Sequence, residues 1–142
     1  MTSQIVSLSA LKEIKEILKL HDEAWNNSPG ILDLLKNSSE CFILFAEDAK
    51  IAGYVFVEED KARGFVELQD IVISSTHRKM GYGKLLMKKV MEKYPYIKLI
   101  ARAQNSGLIS FYKDLGFKED FLIENYYEIG EDGLRMSWRA EK

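Results

Sequence analysis

The sequence predicts an α/β chain of the α+β kind: a mixed, mostly antiparallel sheet with helices on both faces. Two observations predict it. Apolar residues repeat at every second position in some stretches and at every third to fourth in others, and these stretches follow one another as β-α-α-β-β-β-α-β-α-β-β. The central strand–helix–strand order needs a parallel pairing, because a helical crossover returns the chain in its original direction, whereas the short turns elsewhere give antiparallel neighbours. The length of 142 residues fits a single domain over 1–142.

The elements follow in order. Gln4 to Leu8 reads as a short first strand, and Ser9 is placed to cap a helix. Leu11, Ile14, Leu18, His21 and Trp25 recur at helical spacing, which predicts one amphipathic helix over 10–25, broken by Asn26-Asn27-Ser28-Pro29-Gly30. A short second helix is expected at 31–37. Phe42–Ala46, Ile51–Glu58 and Phe65–Ile73 form a three-strand meander around two polar turns. From Gly81 the period becomes helical, with Tyr82, Leu85, Leu86, Val90 and Tyr94 on one stripe and Pro95 as the stop. Leu99–Ala103 is a short buried strand. Leu108, Ile109, Phe111, Tyr112 and Leu115 make another helical stripe, closed by Gly116. Phe117–Tyr127 and Leu134–Trp138 form a last hairpin around Gly130-Glu131-Asp132-Gly133.

Composition narrows the function. Apolar residues are 46% and charged residues 30%, a globular balance, and no apolar run is long enough to span a bilayer. The start, Met1-Thr2-Ser3-Gln4, lacks the basic and apolar regions of a secretory signal. A lone cysteine, Cys41, sits in an apolar run and reads as a buried thiol; a reducing cytoplasm fits it. Only His21 and His77 exist, with no metal-ligand spacing, so no metal is expected. A net charge of −2 and the lack of a basic stripe argue against nucleic acid and suit an amine acceptor.

The most informative stretch is Arg78-Lys79-Met80-Gly81-Tyr82-Gly83-Lys84, which follows a strand and opens a helix. A helix start offers unpaired N–H groups and the positive end of the dipole. Two glycines let the backbone come close to a ligand, and Arg78, Lys79 and Lys84 add positive charge. A diphosphate is the natural ligand. A nucleotide P-loop fails here, since Arg78 stands in place of its first glycine and Leu85 in place of its hydroxyl. A dinucleotide fingerprint fails at Leu86, where a small residue belongs.

Arg-x-x-Gly-x-Gly after a strand resembles the acetyl-CoA loop of the GNAT superfamily of N-acetyltransferases. Asn105-Ser106-Gly107-Leu108-Ile109-Ser110-Phe111-Tyr112-Lys113-Asp114-Leu115-Gly116-Phe117 resembles that family's second motif, at the expected distance downstream. The two motifs and what lies between cover residues 66–117. The resemblance implies a GNAT fold, in which one parallel strand pair splays apart, and acetyl-CoA as the cofactor. It implies that the main chain of Ile71, Val72 and Ile73 takes the pantetheine arm as an added strand, with the Ile71 N–H facing the thioester oxygen. Arg78, Lys79, Met80, Gly81, Tyr82, Gly83 and Lys84 would hold the diphosphate. Asn105 would bond the cofactor arm, and capping the following helix accounts for it equally well. Tyr112 would be the general acid toward the coenzyme sulfur; core packing is its other reading.

Glu67 to Gly83 is similar to the histone acetyltransferases of the coactivator class, in which the glutamate matching Glu67 is the general base. A surface-facing strand carboxylate is the other account, and Asp70 is the competing acid. By alternation Glu67 shares a strand face with Gln69, Ile71 and Ile73 if no bulge intervenes. Tyr126-Tyr127-Glu128-Ile129-Gly130-Glu131-Asp132-Gly133-Leu134-Arg135-Met136 is similar to the protein N-terminal and ribosomal-protein alanine acetyltransferases. That implies that Tyr126 and Tyr127 wall an acceptor groove, with the loop from Trp25 to Gly30 opposite. The loop lacks the aromatic–proline pattern of those enzymes, so a small-molecule amine such as a polyamine or aminoglycoside stays open beside a protein or peptide amine. A non-catalytic acetyl-CoA sensor is a third reading, and a two-fold homodimer is a common habit of the family.

Overall fold

The computed structural model describes residues 4–7, 16, 17, 19–22, 40–48 and 50–141. Residues 16, 17 and 19–22 are helical, inside the expected 10–25 span. The Ser9 cap, the second helix at 31–37 and the loop from Trp25 to Gly30 lie outside the described residues.

Seven strands make one sheet: β1 (Gln4–Ser7), β2 (Glu40–Phe45), β3 (Ile51–Asp60), β4 (Phe65–Ile73), β5 (Tyr96–Arg102), β6 (Lys118–Glu128) and β7 (Glu131–Arg139), in the order β1-β2-β3-β4-β5-β7-β6. Helix α1 (Tyr82–Lys93) crosses from β4 to β5, and α2 (Ser106–Asp114) follows β5. Every strand pair is antiparallel except β4–β5. The mixed sheet, with its parallel pairing in the middle and antiparallel arms on either side, matches the expectation from sequence.

Period-two alternation divides the core into two layers. Phe42, Leu44, Val55 and Val57 face Leu86, Met87, Val90 and Tyr112 of α1 and α2. Ile43, Tyr54, Phe56 and Val72 face the other way and pack on Ile17 and Leu20 of the N-terminal helical residues. Buried aliphatic side chains of this size each contribute about 1.5–3 kcal/mol. Leu85 departs from the expected α1 stripe and is 41% exposed, while Met87 is fully buried. At 100° per residue Met87 lies beside Val90, whereas Leu85 points nearly opposite.

Two elements end as their residues dictate. Pro95 follows α1 and supplies its carbonyl to the Ala140 N–H. At the end of α2 the Gly116 N–H donates to the Lys113 carbonyl and the Phe117 N–H to the Tyr112 carbonyl, a Schellman closure made possible by Gly116 at φ 103°. Strand β5 begins at Tyr96, ahead of the expected Leu99. Its early outward residues, Tyr96 and Lys98, are only half-buried, so the apolar run understates the strand.

Strand β4 carries the decisive irregularity. Phe56 is opposite Asp70 and Val57 is opposite Leu68, so Gln69 is an extra residue, a β-bulge. The bulge reverses the facing expected for Glu67. Ile71 and Ile73 now join the α1–α2 layer with Val66 and Leu68, whereas Glu67 shares its face with Asp70 and Val72.

Candidate active site

Strands β4 and β5 pair only at Val66–Ile97 and Glu67–Lys98. Beyond that point they diverge, and Ile71, Val72 and Ile73 lie past the last paired position. A parallel pair that opens in this way presents strand edges to a ligand that can complete the ladder.

At the wide end of the opening β4 runs into a 3-10 turn, Ser75–His77, and then the basic loop. Lys79 (φ 64°) and Gly81 (φ 80°) are both left-handed. Gly81 is the N-cap of α1 and has no side chain to cap it, so the Tyr82, Gly83 and Lys84 N–H groups start the helix ahead of its first internal bond, from Leu85 N–H to the Gly81 carbonyl. Nothing lies within 4 Å of the place a Gly81 Cβ would occupy. A cleft of about 410 Å³ opens there, lined by Ile73, Arg78, Lys79, Gly83, Lys84 and Phe111 among others. The donor set suits a diphosphate: main-chain amides at a helix start, three cations, and free space above the glycine. Met80 is exposed beside the cleft, and Tyr82 packs against the core edge.

His77 also lines this cleft. Its Nδ1 is 3.0 Å from the Thr76 hydroxyl and its Nε2 is 3.6 Å from Asp48, and its ring stands 6.1 Å from that of Tyr82. Asp48 accepts the Lys50 N–H, which with His77 holds its carboxyl below the usual range. Asn105 caps α2, its Oδ1 accepting the Leu108 N–H at 3.0 Å. The capping account of Asn105 is therefore realised, and its side-chain NH₂ is left over for a ligand.

Tyr112 is 3% exposed. Burial pushes its phenol far above the usual value, and the nearby Asp70 and Tyr127 push it further. Asp70 lies on β4 beyond its last pairing with β5, and the Tyr127 hydroxyl reaches the Ile100 carbonyl of β5. Tyr54 donates its hydroxyl to Asp70 at 2.8 Å and so orients that carboxylate.

Glu67 is gripped by Arg135, whose Nη1 donates to both carboxylate oxygens at 2.8 and 2.9 Å. Burial raises the Glu67 carboxyl above the ordinary range, and Arg135 and Lys98 only partly offset it. Arg135 carried no signal in the sequence, because the pair spans 68 residues and reaches across β5. Phe111 and His77 as cleft walls could have been read from their places beside Tyr112 and Arg78.

Tyr126 and Tyr127, expected to wall the acceptor groove, lie in an arch of β6. Tyr126 is 48% exposed, edge-on to Tyr127 with 4.9 Å between ring centroids. Tyr127 donates to the Ile100 carbonyl at 3.3 Å, and the Arg102 guanidinium sits 4.1 Å above its ring. Burial raises the Tyr127 phenol. Trp25, the expected opposite wall, lies outside the described residues. Among the described residues no His/Cys/Asp/Glu cluster could hold a metal, and no helix is long and apolar enough to cross a membrane.

Comparison with known proteins agrees with this geometry. Residues 9–117 match the model of the acetyltransferase (GNAT) family. The chain is 28% identical to an N-alpha-acetyltransferase of Sulfurisphaera tokodaii, over 89% of this chain and 87% of that one. The ribosomal-protein-S18-alanine N-acetyltransferase of Escherichia coli superposes with a TM-score of 0.86 at 20% identity, covering 99% and 96% of the two chains. Naa50 of Arabidopsis thaliana, solved with a CoA-Ac-MVNAL bisubstrate analogue, superposes with a TM-score of 0.83 at 19% identity, covering 96% and 98%. The match over most of the chain, on a sheet that opens between β4 and β5, makes this protein an N-acetyltransferase of the GNAT family.

Proposed function

We propose that the enzyme acetylates the α-amine of a protein or peptide N-terminus, with acetyl-CoA as donor. The observation that carries the choice of amine is the Glu67–Arg135 pair. Deprotonating a lysine amine at pH 7 takes about 4.6 kcal/mol, and an α-amine only about 1.4 kcal/mol. Burial makes Glu67 a stronger base than a free carboxylate, yet both its oxygens are bonded to the Arg135 guanidinium, and a base restrained in this way suits the easier proton. The 28% identical relative, which is named an N-alpha-acetyltransferase, supports the same reading.

Bound acetyl-CoA supplies a thioester whose acyl carbon accepts the amine. The loop from Arg78 to Lys84 holds its diphosphate, with Met80 and Tyr82 flanking. The main chain of Ile71, Val72 and Ile73 holds the pantetheine arm, and the Ile71 N–H stabilises negative charge on the acyl oxygen. The Asn105 side-chain amide donates to the same arm. Glu67, oriented by Arg135, takes the amine proton directly or through water. Tyr112 gives its Oη proton to the departing sulfur. The burial that raises its phenol also raises the proton affinity of a thiolate in the same site, so the transfer stays matched. Tyr126 and Tyr127 wall the acceptor's approach.

The test is a thiol-release assay over N-terminal peptides, lysine peptides, polyamines and aminoglycosides. Some N-terminal peptide is expected to give the highest kcat/KM. A lysine peptide or a polyamine that exceeds all of them would overturn the acceptor reading.

A further inference from the structure

The hairpin of β6 and β7 is not a simple ladder. Ile123 is opposite Gly133 and Glu128 is opposite Glu131, so β6 carries three more residues than β7 over this interval. The surplus forms the arch that bears Tyr126 and Tyr127. An excess of this size in an exposed edge strand would ordinarily slide or collapse, since the ladder does not fix it.

Five features fix it. Asn125 adopts a left-handed conformation, φ 54°, which asparagine tolerates better than other side-chain-bearing residues. Its N–H donates to Asp132 Oδ1 at 2.9 Å, and its own Oδ1 accepts the Gly130 N–H at 2.7 Å. The Asp132 carbonyl in turn accepts the Ala103 N–H at 3.0 Å, which ties the arch to the chain between β5 and α2. Gly133 lets Tyr126 cross β7: a Cβ there would stand 3.0 Å from the Tyr126 Cβ and 2.8 Å from Ile100 Cγ2.

The geometry points to Asn125 and Asp132 as positioning residues that select the acceptor. They touch neither reacting group. They set the height and angle at which the two tyrosines meet the incoming amine, while the diphosphate cleft lies on separate elements; Asp132 meets the donor side only where it and Asn105 line one smaller pocket. The inference rests on the proposed acceptor role of Tyr126 and Tyr127. It predicts a specific split: acceptor KM depends on the clamp, while acetyl-CoA KM and kcat do not.

The experiment uses the full chain, with acetyl-CoA and the best acceptor from the thiol-release panel, whatever its class. A best acceptor that is not an N-terminal peptide overturns the proposed substrate and still leaves the clamp measurable. Asn125→Ala and Asp132→Ala are expected to raise acceptor KM about tenfold, or about 1.4 kcal/mol, with acetyl-CoA KM and kcat within about twofold. Asn125→Gly keeps the backbone conformation and the N–H bond but loses the Oδ1 bond, so it should fall between wild type and Asn125→Ala. Asp132→Asn keeps an acceptor oxygen and should restore acceptor KM to within about threefold of wild type. If an alanine variant does not fold, Asn125→Gly and Asp132→Asn carry the comparison. Unchanged acceptor KM in the variants that lose a clamp bond, or parallel changes in acetyl-CoA KM, would overturn the proposal.

Discussion

The two sides of the β4–β5 opening are built in different ways. The proposed donor side is made of main chain: a left-handed Gly81, the first amides of α1, and the reach of β4 beyond its last pairing with β5. The proposed acceptor side is made of side chains that make contacts across long sequence distances: Glu67 with Arg135, 68 residues apart, and Tyr127 with the Ile100 carbonyl, 27 apart. A backbone-built site depends on a few residues that permit a conformation and tolerates change elsewhere. A side-chain-built site can alter its substrate by exchanging one contact. The donor is shared by a whole family of acetyltransferases while acceptors differ, and the construction of each side suits that division.

The largest effect is expected at Tyr112, the proposed acid toward the leaving sulfur. Tyr112→Phe removes the phenol proton but keeps the ring in the core, so kcat should fall about 10²-fold with acetyl-CoA affinity by calorimetry retained. A kcat within a few-fold of wild type would make Tyr112 a core residue only. A smaller and one-sided effect is expected at Gly81→Ala. The added methyl meets open space, so the loss comes from left-handed strain of about 1–2 kcal/mol. Acetyl-CoA KM should rise about tenfold, with acceptor KM unmoved; equal changes in both would break the contrast.

The smallest effect is a shift along the pH axis. Arg135 holds the Glu67 carboxyl down against burial, which raises it. Replacing it in Arg135→Met leaves burial unopposed by that guanidinium, so the Glu67 pKa rises further. Glu67 must be ionised to take a proton, so the acid limb of kcat/KM should move to higher pH. A limb that stays in place points to another base, and Asp70, brought to the same face by the bulge, is the residue to test next by Asp70→Asn. Activity that survives Glu67→Gln but not Asp70→Asn would assign the role to Asp70.

The order of strands, the helix starts and stops, and the basic glycine loop were legible in the residues themselves. Gly116 closes α2 and Pro95 follows α1 because backbone chemistry acts over a few neighbouring positions. Gly81 is legible for the same reason: a glycine between a basic turn and a helix marks a conformation that other residues resist. Leu85 falls outside the buried face of α1 because a stripe counted from Tyr82 sits to one side of that face, whose centre the sheet decides.

What only the tertiary structure decided lies on β4 and β6. The extra residue Gln69 turned Glu67 away from Ile71 and Ile73 and brought Asp70 to its side. A bulge leaves no composition signal, because it is a mismatch of register between two strands. The grip of Arg135 on Glu67 and the clamp of Asn125 by Asp132 depend on which strands become neighbours, here β7 beside both β5 and β6. Local sequence determines what a backbone segment can do by itself. The facing of a carboxylate, the strength of a base and the height of an arch are relations between segments, and they exist only once the sheet has closed around them.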